Sequence, residues 1–236
     1  NIQDVLEGAV CKVETYGYLD GADWLIGDYR FEAGYCYFSL SYQGVKKANF
    51  QLAMIGRHNA ENAASVAALC LKLGLTVDEI NSAFKTFEGI KRRQEVVGVK
   101  NGVTVLDDFA HHPTAIRKTL EAVKEAYPGQ RLWAVFEPRS ATSKRKVFEQ
   151  DFPDSFLVAD RVIIAGLFAP EKISEDERLD PEGVVNCLRE KGCDAHFIRE
   201  VDDIVAFMAE NTESGDVVLV MSSGGFGDIH QKILGQ

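Results

Sequence analysis

The run Asp107-Asp108-Phe109-Ala110-His111-His112-Pro113-Thr114 brings two carboxylates and two imidazoles together over a few residues. Proline suits the first position of a helix, so the run reads as a strand ending in two acids, a turn and a helix start. A helix N-terminus carries unpaired N–H groups and partial positive charge, and anions settle there. One carboxylate can accept hydrogen bonds from a ribose diol or hold Mg²⁺-bound water. His111 and His112 can orient an anionic substrate or move a proton near neutral pH. An Asp turn and a His cap are equally good uses of these residues. Adjacent side chains in an extended segment point apart, so the two imidazoles do not jointly chelate a metal.

Three further segments have comparable chemistry. In Gly56-Arg57-His58-Asn59-Ala60-Glu61-Asn62, strand gives way to helix, and His58 and Asn62 stand four apart on one face. An Asn amide both donates and accepts, which matches the N6/N7 edge of adenine; a capped, packed helix start is the plainer reading. Residues 137–146 cluster Arg139, Lys144, Arg145 and Lys146 with the hydroxyls of Ser140, Thr142 and Ser143. Arg pairs in a fork with carboxylate or phosphate, although a solvated basic face has the same composition. Ser222-Ser223-Gly224-Gly225-Phe226-Gly227 is a glycine-rich turn after a strand, able to cradle phosphate or simply to turn. None of the 20 glycines is followed by Lys, so no Walker-type phosphate loop is present in these residues.

These segments need elements to position them. From about residue 8 to 52, aromatic and β-branched runs punctuated by Gly21, Gly27, Gly34 and Gly44 predict a small antiparallel sheet. Alanine-rich helical spacing follows over 59–73. A second helix starts at Thr76, with Glu79 completing a capping box, and runs to about Phe87. Residues 89–93 read as a linker. Asn101-Gly102 between β-branched runs predicts a tight hairpin. Beyond it, strands near 132–136, 161–165, 195–198 and 217–221 alternate with helices starting near Pro113, Lys144, Pro181, Val201 and Gly227. This alternation predicts an α/β domain with a mostly parallel sheet. Such a sheet binds ligands at the carboxyl ends of its strands, where 107–114, 137–144, 166–169 and 222–227 all fall.

Composition narrows the function classes. The 236 residues carry 26 Lys and Arg against 36 Asp and Glu, a net charge of −10. Such a chain repels nucleic acid and anionic membrane at long range, so neither is expected as a partner. The five cysteines, Cys11, Cys36, Cys70, Cys187 and Cys193, form no Cys-x-x-Cys pair, and no metal site is signalled. Buried, reduced thiols and the lack of an apolar leader suit the cytoplasm. No Gly-x-Gly-x-x-Gly follows the first strand of the α/β part, which argues against a dinucleotide oxidoreductase. The absence of an initiator Met suggests an excised fragment.

Taken together, the chain resembles the Mur ligases of peptidoglycan metabolism. The resemblance rests on Gly-Arg-His-Asn-x-x-Asn at 56–62, Lys-Arg-Arg at 91–93 and Asp-Asp-Phe-Ala-His-His-Pro-Thr-Ala-Ile at 107–116. Glu-Pro-Arg-Ser-x-Thr at 137–142 and Met-Ser-x-Gly-Gly-Phe-Gly-x-Ile-His-Gln-Lys at 221–232 complete it. It implies that residues 1–95 end a central ATP-binding domain and that 96–236 form a C-terminal Rossmann-like domain. Phe109-Ala110 and Arg139-Ser140 replace the Tyr-Gly and His-Arg usual in members that add L-alanine to UDP-N-acetylmuramate. That favours a member adding the tripeptide L-Ala-γ-D-Glu-meso-diaminopimelate in cell-wall recycling, with the L-alanine ligase as the alternative. A non-catalytic peptide- or nucleotide-binding module is the remaining alternative.

The resemblance implies an ATP- and Mg²⁺-dependent amide synthesis through an acyl phosphate, with the main Mg²⁺ ligands and the N-terminal sugar-binding domain outside these residues. Acyl phosphates hydrolyse, so the whole enzyme must exclude water while it aligns amine and carbonyl. By residue match, His58, Asn59 and Asn62 line the adenine pocket. Arg93 reaches the phosphates, and Asp108 holds the ribose or nucleotide. His111, His112, Arg139, Ser140, Thr142 and Lys144 face the peptide, with Arg93 and His112 catalytic. On this reading the fragment alone is inactive and binds ATP weakly.

Overall fold

The structure, a computed structural model, describes Leu6 and residues 8–235. The chain divides between Gly89 and Ile90 into two compact units. The first holds strands β1 (Tyr16–Gly17), β2 (Trp24–Glu32), β3 (Tyr35–Tyr42) and β4 (Val45–Leu52), then helices α1 (Arg57–Lys72) and α2 (Val77–Thr86). The predicted antiparallel sheet is in fact mixed, because the short β1 pairs parallel with β2. Gly27 does not end a strand. It lies inside β2 beside a register shift, where an added Cβ would come within 3.0 Å of Ser39 Oγ. Helix α1 begins at Gly56, whose φ of 92° suits glycine, and packs Ala60, Ala63, Ala64 and Ala67 into the core with Phe38, Leu40 and Phe50. The Thr76–Glu79 capping box forms as expected at the start of α2.

The second unit is the α/β part. Its six-stranded sheet has the order β5 (Glu95–Lys100), β6 (Val103–Asp108), β10 (Val217–Met221), β7 (Leu132–Phe136), β8 (Arg161–Ile164), β9 (Asp194–Phe197). All neighbours pair in parallel except the β5–β6 hairpin. Asn101 and Gly102 both adopt positive φ, 52° and 79°, as a two-residue primed turn requires. The fully buried runs Leu132–Phe136 and Val217–Met221 are what a sheet covered on both faces demands. Helices α6 (Val201–Asn211) and α7 (Ile229–Leu234) supply Ile204, Met208 and Ile229 to one face, against Val105, Val135, Ile163 and Val220. On the other, Phe136 meets Phe152 and Phe156 of the short α4 (Phe152–Phe156), at centroid distances of 5.5 Å each. Helices α3 (Pro113–Ala126) and α5 (Pro181–Glu190) complete the set.

Three further sequence expectations need correction. No α-helix starts at Lys144; the chain makes a single 3₁₀ turn at Lys146–Phe148 before α4. The stretch expected as a linker, 89–93, is not free. The Arg92 carbonyl accepts from Phe109 N, Arg92 N donates to Glu95 Oε2, and Gln94 N donates to Asp108 Oδ2. Arg92 and Gln94 hold left-handed φ of 60° and 53°, a conformation other non-glycine residues rarely keep without such ties. All five thiols are free, but only Cys36 is buried and Cys11 is exposed. Among the described residues no helix is long and apolar enough to cross a membrane.

Candidate functional site

Register brings the chemistry-bearing loops to one edge of the second unit. Met221 pairs with both Asp108 and Phe136, Phe136 with Ile164, and Ile164 with Phe197. The loops after β6, β10, β7, β8 and β9 therefore emerge together at the strand carboxyl ends, the ligand-binding edge of such sheets.

The centre of this edge is Arg92, which sequence reasoning passed over for its neighbour. Its Nε donates to Asp107 Oδ2 at 3.0 Å, and its NH2 donates to the carbonyls of Ser222 at 2.7 Å and Gly224 at 2.8 Å. On the other side of Asp107, His230 Nε2 lies 3.3 Å from Oδ1, poorly aligned for a hydrogen bond. Burial pushes the Asp107 carboxyl up, but His230 and Arg92 outweigh it and hold the group below its ordinary value. The glycine-rich turn is further fixed by Ser222 Oγ, which donates to the buried Glu137 at 2.6 Å and accepts from Gly224 N at 3.0 Å. This turn is thus tied to its neighbours through two carbonyls and the Ser222 hydroxyl.

Asp108 is 2% exposed. Its Oδ1 accepts from Ala110 N at 2.7 Å and its Oδ2 from Gln94 N at 2.9 Å. It braces the loop through both carboxylate oxygens. Burial raises its carboxyl above the ordinary value, against the pull of these bonds and of Arg93. Asp108→Ala leaves the buried Ala110 N–H and the half-buried Gln94 N–H without acceptors. The expected loss is about 2–4 kcal/mol of stability, from roughly 1–3 kcal/mol for the buried group and about 1 kcal/mol for the half-buried one. Urea unfolding followed by circular dichroism checks this, and an unchanged midpoint would refute the bracing role.

The other predicted residues divide by surroundings. Arg93 is exposed, with its guanidinium 5.7 Å from the Phe109 ring centroid, and its charge suits a phosphate. His111 Nδ1 lies 2.8 Å from the Phe109 carbonyl and so carries a proton, leaving Nε2 for other contacts. His112 caps α3: its Nδ1 accepts from Thr114 N at 3.2 Å, and its ring meets Phe148 edge-on at 4.5 Å. Any substrate contact by His112 falls to Nε2. Ser140 Oγ turns inward to Ser143, whereas Thr142 is exposed. Arg139 lies 3.5 Å over the Phe168 ring and 3.6 Å from Glu137. An added Cβ at Gly224 would fall 1.9 Å from Arg139 Nε, so this glycine leaves room for the guanidinium. The Lys144 side chain is mostly buried, with its ammonium 6.0 Å from the same Phe168 ring.

In the first unit, His58, Asn59 and Asn62 lie on α1 as predicted. Asn62 is exposed. Asn59 is buried and donates to the Ile55 carbonyl at 2.9 Å, which ties the helix start to the preceding residues. Among the described residues no three His, Cys, Asp or Glu are placed to hold a metal ion. Asp107 and Asp108, already paired or sealed, do not fit the role of Mg²⁺ ligands.

A cavity of about 520 Å³ opens at the ends of β7, β8 and β9, and the Phe168 ring under Arg139 is part of its wall. Glu137, Phe168, Arg178, Phe197, Arg199 and Glu200 are among its walls. Arg178 and Arg199 went unnoticed in the sequence because neither belongs to a local cluster.

Residues 92–224 match the family described as Mur ligase, glutamate ligase domain, and the chain belongs to that family. It is 36% identical over 235 residues to UDP-N-acetylmuramate–L-alanine ligase of Caldanaerobacter subterraneus, covering 99% of this chain and 50% of that protein. Among solved structures, a murein peptide ligase from Psychrobacter arcticus is 30% identical with a TM-score of 0.68, covering 99% of this chain and 48% of that one. UDP-N-acetylmuramate–alanine ligase from Thermotoga maritima shares the fold at a TM-score of 0.78 and 19% identity, covering 94% and 47%. The chain spans about half the length of the curated relatives it matches.

Proposed function

We propose that this chain is the C-terminal half of an ATP-dependent ligase that forms an amide on UDP-N-acetylmuramate in peptidoglycan synthesis. Similarity to UDP-N-acetylmuramate–L-alanine ligases along almost the whole chain carries the reading. The expected cofactors are ATP and Mg²⁺, with the Mg²⁺ ligands outside these residues. Arg93 offsets phosphate charge, an interaction that gains strength as charge moves during phosphoryl transfer. Arg139 and Lys144 attract the carboxylate of the incoming amine. The ring of His111 or His112, through Nε2, is suited to take the proton the amine loses.

Two amines compete. The curated relatives favour L-alanine. The residues Phe109-Ala110 and Arg139-Ser140, with the 30% identity to a murein peptide ligase, favour the tripeptide L-Ala-γ-D-Glu-meso-diaminopimelate. Phosphate release by the full-length protein with UDP-N-acetylmuramate, ATP and each amine in turn decides between them. Release with neither amine would refute the ligase reading. Arg93→Ala should abolish turnover in that assay while leaving the melting temperature unchanged, since the side chain is exposed. Retained turnover would remove Arg93 from the phosphate site.

A further inference from the structure

The 520 Å³ cavity is out of proportion to a single alanine. Its volume lies within the roughly 300–1,000 Å³ range of sites for drug-sized ligands. Its walls are also charged in both senses. Arg178 and Arg199 come from different loops, after a 3₁₀ turn and after β9, and both line it, as do Glu137 and Glu200. The charge of Arg178 is only loosely matched, by the mostly exposed Glu175 at 3.6 Å, while its Nε is fixed by the Ile173 carbonyl at 2.9 Å. Arg199 is exposed, and its stem is pressed against Gly166, where an added Cβ would come within 2.9 Å of Arg199 Cγ. Gly166 N also donates to the Arg199 carbonyl at 3.2 Å, so the backbone that carries this guanidinium is held to the β8 loop. Glu200 precedes α6 but its side chain makes no capping bond there. Phe168 and Phe197 give the walls apolar area, and Phe168 also carries Arg139.

We infer that this cavity is the seat for the distal end of a short peptide amine with more than one carboxylate and a free ammonium. Arg199 and Arg178 are the specificity-determining cations. Two guanidiniums bind two carboxylates, an acidic wall accepts the ammonium, and L-alanine has no group to reach either. The inference rests on the tripeptide reading of the function and names the residues that would enforce it.

The test uses the full-length protein and its Arg199→Ala and Arg178→Ala variants. The KM values for L-Ala-γ-D-Glu-meso-diaminopimelate, for the dipeptide L-Ala-γ-D-Glu, for UDP-N-acetylmuramate and for ATP are compared. Losing a charge-assisted contact should raise the tripeptide KM about tenfold or more in Arg199→Ala. The KM for UDP-N-acetylmuramate and for ATP should stay put, and the dipeptide KM should move less. Arg178→Ala also loses a bond to backbone, so Arg178→Lys and a melting curve accompany it. A tripeptide KM unmoved in Arg199→Ala and Arg178→Lys, with peptide still used by the parent enzyme, overturns the inference alone. A parent enzyme that uses L-alanine and no peptide overturns the tripeptide reading, and this inference with it.

Discussion

Arg92→Ala should destabilise the second unit by about 2–4 kcal/mol, below the range for breaking a fully buried ion pair from one side because the Arg92 side chain keeps 31% exposure. The side chain serves three acceptors at once: Asp107 Oδ2 and the carbonyls of Ser222 and Gly224. Removing it leaves Asp107, whose side chain is 11% exposed, with only the misaligned His230 beside it. The carboxyl then loses one of the two partners that hold it below its ordinary value. The destabilisation should accordingly be larger near neutral pH than in acid, where a neutral carboxyl has less need of the guanidinium. Arg92→Lys keeps the charge but cannot span a carboxylate and two carbonyls with one planar fork, so an intermediate loss is expected. Urea titrations at two pH values provide the measurement. A loss below about 1 kcal/mol would place this network in the class of weak surface contacts. The effect should reach the site as well. With its two carbonyls released, the 222–225 turn loosens, and the clearance at Gly224 that admits Arg139 is no longer held. Faster hydrogen exchange at the Gly224 amide reports this directly.

The contrast between Arg92 and Arg93 shows how far the sequence could be read. Lys-Arg-Arg announces cations, but a left-handed φ at Arg92 decides which guanidinium turns into the strand tips and which stays in solvent. Nothing local signals that choice. It is set by Asp107 and by carbonyls 130 or more positions away. His230 was invisible as Asp107's neighbour for the same reason. Features whose cause is local were legible. Asn101-Gly102 needs two positive φ values, Thr76 and Glu79 satisfy each other, and Pro113 suits a first helical position. The strands at Leu132–Phe136 and Val217–Met221 were legible because continuous apolar runs of that length between turns suit a doubly covered sheet. The Lys144 region misled because its charges carry helix propensity, while Ser140 and Ser143 bond each other and wind the chain into a turn instead. The bracing role of Asp108 was equally hidden, because its two oxygens accept from backbone N–H groups that no one-dimensional pattern displays.

Asp216→Asn, at the opposite end of β10, should show the second large effect and should leave the candidate site untouched. Arg131 grips this carboxylate in a fork, Nε to Oδ1 at 2.9 Å and NH2 to Oδ2 at 2.7 Å. Trp133 Nε1 and Glu213 N both donate to Oδ2 at 2.9 Å. Four donors on a side chain that is 5% exposed suit an anion and not an amide, whose NH₂ would face N–H groups. Burial alone would raise the group, but Arg131, the Glu213 N–H and Trp133 together bring it below its ordinary value. A carboxyl lowered in the folded state contributes stability above its unfolded value and loses it as pH falls through the folded value. The native protein should therefore exceed Asp216→Asn by about 2–3 kcal/mol above roughly pH 5, the scale of hydrogen bonds to a charged group. The gap should close as the solution is acidified below the lowered value. Circular dichroism melts across pH read the gap, and Trp133, one of two tryptophans, adds a fluorescence signal from the donor itself. A gap that stays constant from neutral to strongly acidic solution would show that the carboxylate's charge is not what the four donors stabilise. Because Asp216 lies at the amino end of its strand, ligation by folded variant should keep its KM values, which separates this loss from that of Arg92→Ala.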